Sequence, residues 1–449
     1  MIVLIPSLRH FCYTFQGALL FLPAKNAPKP RLANITVLIK KYVFFQIALA
    51  SGSKQQCMEK TKTTTSTHTL IIGAGPAGLA TAGCLRQLDI PFEILEKSQN
   101  IADSWHQHYD RLCLHTVKEL SSLPGLPFPE DYPRYVPRAL LVAYFEKYAE
   151  TFQIHPQLGQ EVVHLRRKQG KWLVRTTQQD FRATNVVIAT GVNRVPFLPQ
   201  WTGQQDFEGK ILHSSTYKNP KPFAHQKVLV VGMGNSGAEI ALDLSEQGAE
   251  AWLSVRGAVN VVPRDFLGNP TQKSALMLAK LPHWLGDLIG VLLRRITIGD
   301  LSRYGIATPA MPPSKQLRVH GKTPVMDIGT IAQIKAGKIK VLPDIERFTQ
   351  KEIAFVNGAQ LPFHAVILAT GYRPQIQGFL EYTKGLLDAN DLPKYIIGEG
   401  EYQGLYFIGF DNYTVGGTIG VINRDSKTIA NAIATAGVSV QDDDLELPE

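Results

Sequence analysis

Two glycine-rich turns carry the first chemistry. Gly73-Ala74-Gly75-Pro76-Ala77-Gly78 follows the apolar run Leu70-Ile71-Ile72, and Gly232-Met233-Gly234-Asn235-Ser236-Gly237 follows Val228 to Val231. Each leads into a helix-like stretch, to Leu88 in the first copy and through Leu244 in the second, and then into another strand. That is the pattern of two βαβ units. The first glycine of such a turn permits a tight bend, the second lets a pyrophosphate approach the backbone, and the third lets helix and strand pack closely. The helix N-terminus then offers unpaired N–H groups to the anion. A lone GxGxxG is weak evidence, but here each copy lies between a strand and a helix, the context that gives it meaning.

The residue closing each second strand separates the two ligands. Glu96 lies 23 residues after Gly73, where a carboxylate accepts hydrogen bonds from a ribose diol, as in FAD or NAD. Arg256 lies 24 residues after Gly232, where a guanidinium favours a 2′-phosphate and so NADPH. A second pairing supports this layout. Asn185 to Gly191 and His364 to Gly371 are each a buried-type strand ending in Ala-Thr-Gly, with Pro196 or Pro374 shortly after. Glycine at such a strand end lets the chain turn where a bulky cofactor lies close, which places Gly191 and Gly371 beside the cofactors.

The elements that position these residues imply an α/β fold with two dinucleotide-binding (Rossmann-like) domains, the FAD domain discontinuous in sequence. The expected layout is a leader over 1–57, the first part of the FAD domain over 68–218, the NADPH domain over 219–345, the second part of the FAD domain over 346–437 and an acidic tail over 438–449. At 44% hydrophobic and 19% charged residues, the 449-residue chain has the composition of a globular enzyme, which excludes disorder as its main state.

Residues 1–57 contain no Asp or Glu but seven Lys or Arg, so the net charge of +9 leaves only +2 on the other 392 residues. A basic nucleic-acid surface has no support there. The leader's apolar runs are broken by Arg9, by Pro23 to Pro30 and by Lys40-Lys41, so none reaches a membrane span. A transit peptide fits the lack of acids but not the few Arg and Ser. We read the leader as upstream sequence outside the fold, with Met58 as the start and a cytoplasmic location; targeting or membrane association would follow only from a genuine leader. Four cysteines make a poor disulfide framework and point to a reducing compartment. No metal site is expected, His106 and His108 being read as solvent-facing.

Between the nucleotide motifs, Phe207-Glu-Gly209-Lys-Ile-Leu-His213-Ser-Ser-Thr-Tyr217 matches FxGxxxHxxxY at every fixed position. With it the chain resembles the flavin-containing monooxygenases, and within them the plant YUCCA type, the indole-3-pyruvate monooxygenases. Other stretches resemble that type too: Tyr109 to His115, Gly232 to Glu239, Gly321 to Gly329 and Ala369 to Arg373. The resemblance covers about residues 68 to 410. It departs at Val192, where the family carries an acid, and over Gly409 to Gly417, a segment expected near the flavin and substrate.

The resemblance implies FAD and NADPH as cofactors, O2 and an aromatic 2-oxo acid as partners, and oxidative decarboxylation of indole-3-pyruvate to indole-3-acetate, a step of auxin biosynthesis, through a flavin C4a-(hydro)peroxide. It implies catalytic roles for Asn193 and His115 and a place near the flavin for Trp105. His213 is read as structural, in the link between the domains. Two other oxidoreductase readings remain: an N- or S-oxygenase of amines or thioethers, and a disulfide reductase, which would need a redox dithiol that the isolated Cys84 and Cys113 do not make. From another class comes a non-catalytic flavin-binding redox sensor.

The charge argument at Arg256 yields a test. Arg256→Ala removes a charge-assisted contact of about 1.5 to 3 kcal/mol. It should weaken NADPH binding roughly ten- to a hundredfold and leave NADH and FAD nearly untouched. An equal loss for both nicotinamides in parallel titrations would assign Arg256 to the fold.

Overall fold

The computed structural model describes residues 64–436 in full and the backbone of 437–443, together with the backbone of a strand pair earlier in the chain, Phe11–Phe15 and Ala18–Leu22. That pair is antiparallel, from Phe11 opposite Leu22 to Phe15 opposite Ala18, within a unit, Met1–Thr63, separate from Thr64–Glu449. Otherwise the reading of 1–57, and of Met58 as the start, lies outside the described residues.

The first sheet is built on β1 (Thr64–Ile72), whose last residues Leu70, Ile71 and Ile72 are buried. It lies parallel between β2 (Phe92–Leu95) and β5 (Asp180–Ile188), with Ile72 opposite Leu95 and Ile188. On its far side β5 pairs with β11 (Leu405–Phe407) through residues 186–188 and with the antiparallel β4 (Lys171–Thr176) through 180–183; β3 (Val162–Lys168) follows β4. The domain is therefore discontinuous, since β11 returns after the whole second sheet. Helix α1 (Pro76–Gln87) opens with Pro at its first position, where the missing N–H is no loss. Its small buried residues let α2 (Arg138–Thr151) and α7 (Thr418–Asp443) pack closely against it.

The second sheet is parallel throughout, in the order β9 (Ile339–Leu342), β8 (Glu250–Ser254), β7 (Lys227–Val231), β10 (Ala365–Leu368), β6 (Lys210–His213). Val228–Val231 and Ala365–Leu368 are buried at every residue, which explains their unbroken apolar runs. Because β6 and β10 belong here, this sheet extends beyond 219–345 at both ends. Parallel strands need crossovers, so neighbours in space come from distant sequence. The expected tail at 438–449 also gives way, in that the α7 backbone continues to Asp443.

The two Ala-Thr-Gly segments occupy matching places. Each strand lies parallel to its cradle strand, Ile188 opposite Ile72 and Leu368 opposite Val231. Their continuations then meet, Val195–Pro196 antiparallel to Tyr372–Arg373.

The FxGxxxHxxxY signature holds this junction. Phe207 packs edge-on against Phe348 at 5.3 Å. His213 donates from Nε2 to the Gly371 carbonyl (3.1 Å) and accepts the Ser215 backbone N–H at Nδ1 (3.1 Å), and burial lowers its pKa. It is a neutral ring fixed by backbone at both nitrogens. The Tyr217 hydroxyl donates to Asp243 (2.7 Å) on helix α3 (Asn235–Glu246). Tyr217→Phe keeps the buried ring but removes that bond to a buried carboxyl group, and should lower stability by about 1 to 3 kcal/mol. A reduced midpoint in urea at unchanged slope checks it; an unmoved midpoint would mean that the bond does not hold the junction.

Candidate active site

Each cradle shows the same three contacts. A Cβ on Gly73 would stand 2.8 Å from the Ala189 carbonyl oxygen, and one on Gly232 would stand 2.7 Å from that of Ala369, with φ of +107° and +102°. On Gly78 or Gly237 a Cβ would come within 1.9 Å of the carbonyl oxygen of Gly73 or Gly232. A Cβ on Gly75 or Gly234 would meet nothing within 4 Å, so the middle glycine faces open space. Neither helix has a side-chain cap or an acid in its first turn, leaving its N–H groups for an anion. The residues present fit a pyrophosphate in both places.

The first cradle opens into a cavity of about 590 Å³ that gathers Gly73, Gly75, Pro76, Ala77, Glu96, Trp105, Gly191 and Asn193. Ala74 and Gly78 lie behind its wall. Glu96 is buried and held by the backbone N–H groups of Ala74 (2.9 Å) and Ser98 (3.0 Å). Trp105 is half-buried against Phe145, with ring centroids 5.9 Å apart. Asn193 is exposed at the rim. His108, read from sequence as facing solvent, instead lines this cavity beside Trp105 (5.5 Å), and burial, then Lys218, lowers its pKa.

In the second cradle Gly232, Met233, Gly234, Ser236 and Gly237 form the turn and helix start, and Arg256 is exposed just beyond β8 with no ion pair among the described residues. Gly371 does not line either cavity; its carbonyl accepts His213 Nε2–H and the Phe197 N–H. Asn235 accepts the Met326 N–H (2.8 Å) and faces a second, mostly apolar cavity of about 300 Å³.

That cavity lies under a helical cap, α4 (Thr271–Leu278), α5 (His283–Thr297) and α6 (Pro313–His320). It meets the first cavity at shared walls, Thr116, Gly417 and Thr418. The divergent segment after Gly409 lines both. Gly417 has φ +92°, and a Cβ there would meet Thr116 at 2.5 Å.

His115 lines the second cavity, and its Nε2 donates to Glu239, which also accepts the Tyr109 hydroxyl at 3.0 Å. Its Nδ1 is buried without a hydrogen-bond partner among the described residues. Glu239 was missed as a site residue, although it lies in the Gly232–Glu239 stretch. The available signal was its spacing with Asp243 and Glu246, which puts three acids on one helical face. Arg111 meets the other two at 3.2 and 2.8 Å, so Tyr109–His115 docks along α3 as a unit.

Residues 70–265 match the family described as pyridine nucleotide-disulphide oxidoreductase, a span covering both cradles. The chain is 39% identical over 381 residues to the probable indole-3-pyruvate monooxygenase YUCCA8 of Arabidopsis thaliana, covering 82% of this chain and 88% of the relative. The chain belongs to the YUCCA family. It is a flavoprotein monooxygenase that uses FAD and NADPH. Among solved structures, a flavin-containing monooxygenase from Stenotrophomonas maltophilia shares the fold, with a TM-score of 0.64, 20% identity and coverage of 83% of this chain and 99% of that one. So does a bacillithiol disulfide reductase from Staphylococcus aureus, with a TM-score of 0.61, 19% identity and coverage of 83% and 99%. The fold thus serves more than one chemistry. In this YUCCA-family chain Cys84 and Cys113 are free, and burial pushes both thiols up. No helix among the described residues is long and apolar enough to cross a membrane.

The cradle contacts separate two kinds of glycine. Gly75→Ala should fold normally but lose FAD affinity tenfold or more, because its Cβ occupies only the space the pyrophosphate needs. Gly78→Ala should fail to yield folded protein. Soluble yield, circular dichroism and bound flavin distinguish them; equal behaviour of the two variants would contradict the assignment.

Proposed function

We propose that this enzyme oxidatively decarboxylates an aromatic 2-oxo acid, indole-3-pyruvate, to indole-3-acetate. The balance is one 2-oxo acid, O2, NADPH and a proton giving the shortened acid, carbon dioxide, water and NADP⁺. The observation that carries this reading is the apolar cavity, which has His115 in its wall and adjoins the cofactor cavity at Thr116, Gly417 and Thr418. The indole-3-pyruvate monooxygenase names of the relatives support the substrate.

Reduced FAD, when bound, supplies the activation of oxygen. Gly73, Ala74, Gly75, Pro76, Ala77, Gly78, Glu96, Trp105 and Gly191 hold it in this reading. The turn from Gly232 to Gly237, with Arg256 and Gly371, holds NADPH. Asn193 stands at the cofactor rim as a hydrogen-bonding group. Glu239 orients His115 through Nε2, leaving Nδ1 for a polar group of the substrate. The apolar walls keep water from the reacting carbon.

Purified holoenzyme with NADPH, isotopically labelled O2 and indole-3-pyruvate should release indole-3-acetate carrying one labelled oxygen. In the same assay His115→Ala should keep the rate of flavin reduction within a few-fold yet yield hydrogen peroxide in place of organic product. Turnover of amines or thioethers alone would overturn the substrate; normal oxygenation by the variant would make His115 a packing residue.

A further inference from the structure

The charged and ionisable side chains of the apolar cavity are nearly all accounted for. Asp287 and Arg318 pair at 2.9 Å. Asp411 meets Arg424 at 3.5 Å and accepts backbone N–H groups of Tyr413 and Thr414. His115 is held by Glu239, and His283 is exposed. Arg294 is different. Half-buried in the last turn of α5, it has no acidic partner among the described residues.

Its one side-chain partner among the described residues is neutral. Nη1 donates to the Asn260 side-chain oxygen, and Asn260 is itself buried and clamped by donating to the Met311 carbonyl (3.1 Å) and to Gln316 (2.7 Å). That leaves most of the five guanidinium N–H donors available. Burial, then the neighbouring Arg295, draws the Arg294 pKa below its usual value, as expected of a cation with nothing to offset its charge.

The same helix makes room beside this cation. Gly286 and Gly290 precede Arg294 by eight and four residues and share its face. Gly286 sets α5 against α4, since a Cβ there would lie 2.9 Å from the Leu278 carbonyl oxygen. At Gly290 a Cβ would meet nothing within 4 Å, which leaves open space one turn before the guanidinium. A partly desolvated cation with a fixed neutral support is poorly solvated until an anion joins it, and a planar guanidinium takes a carboxylate by two parallel bonds.

We propose that Arg294 is the carboxylate anchor of the substrate cavity, binding an aromatic acid whose ring lies on the apolar walls beside Gly290. The proposal rests on reading this cavity as the substrate site, and it divides the labour there. Arg294 takes the permanent negative charge, and His115, held in place by Glu239, serves the oxygen at the reacting carbon.

The test titrates oxidised holoenzyme with indole-3-acetate and with its neutral isostere indole-3-acetamide, following the flavin spectrum. The parent should prefer the acid at least tenfold. Arg294→Gln should weaken the acid roughly ten- to a hundredfold, with amide affinity, NADPH affinity and flavin reduction all kept within about twofold; Arg294→Lys should restore part of the acid preference. Gly290→Val, which fills the neighbouring space, should weaken both ligands. Bound FAD confirms that each variant is folded. Equal loss of acid and amide in Arg294→Gln, loss of NADPH affinity instead, no acid preference in the parent, or Gly290→Val without effect would overturn the proposal. If the parent binds the acid through Arg294 yet converts no indole-3-pyruvate, the substrate reading fails and the anchor stands. If it converts indole-3-pyruvate with an unchanged KM in Arg294→Gln, the anchor fails alone.

Discussion

A buried carboxylate organises the boundary between the two nucleotide-binding halves. Glu239 is 2% exposed, and an unpaired charge at that depth would cost several kcal/mol. It is kept in place because His115 and Tyr109, both from the first half, bond to its two oxygens. Removing either partner leaves the acid short of a donor, so the position of His115 is tied to the stability of the boundary. Asp243 and Glu246 extend the arrangement along α3 through Tyr217 and Arg111. One helix thus begins at the second glycine-rich cradle and continues as the dock for the first half.

The cradles themselves depend on a steric constraint repeated twice. The first glycine lies against the carbonyl of the alanine in Ala-Thr-Gly, at Ala189 and at Ala369, in both cases from a strand far along the chain. No side chain fits between them, so each pair of distant segments is held in register by close packing as well as by the β ladder. The continuations of the two Ala-Thr-Gly strands then pair with each other, which joins the two cradles through backbone hydrogen bonds.

The helical cap adds what the cradles lack, an apolar chamber with few polar groups. Its walls come from α4, α5 and α6 and from the segment after Gly409, while the cradles come from the sheets. The divergent 409–417 segment touches both, with Gly409 beside Ala77 of the first cradle and Gly417 beside Thr116 at the chamber wall.

The cradles were legible in the sequence because their requirements are local. A turn with φ above +100° at Gly73 and a helix starting two residues later can be read from adjacent positions, as can the acid that ends the next strand. The signature from Phe207 to Tyr217 was legible as a whole, but not the partner of each of its residues. Glu239, Asn260 and Arg294 escaped notice because burial and the absence of a counter-charge are properties of the assembled interior. In sequence Arg294 is one of two adjacent arginines at a helix end, with nothing to mark it from Arg295. Likewise β10 was assigned to the wrong half because parallel pairing is made between distant segments, and His108 was read as solvent-facing because no local pattern showed Trp105 and Tyr109 closing around it. The sequence by itself determined the cofactor class, through backbone geometry that only glycine permits; tertiary structure decided which charges stand alone, because desolvation depends on every segment that packs around a group.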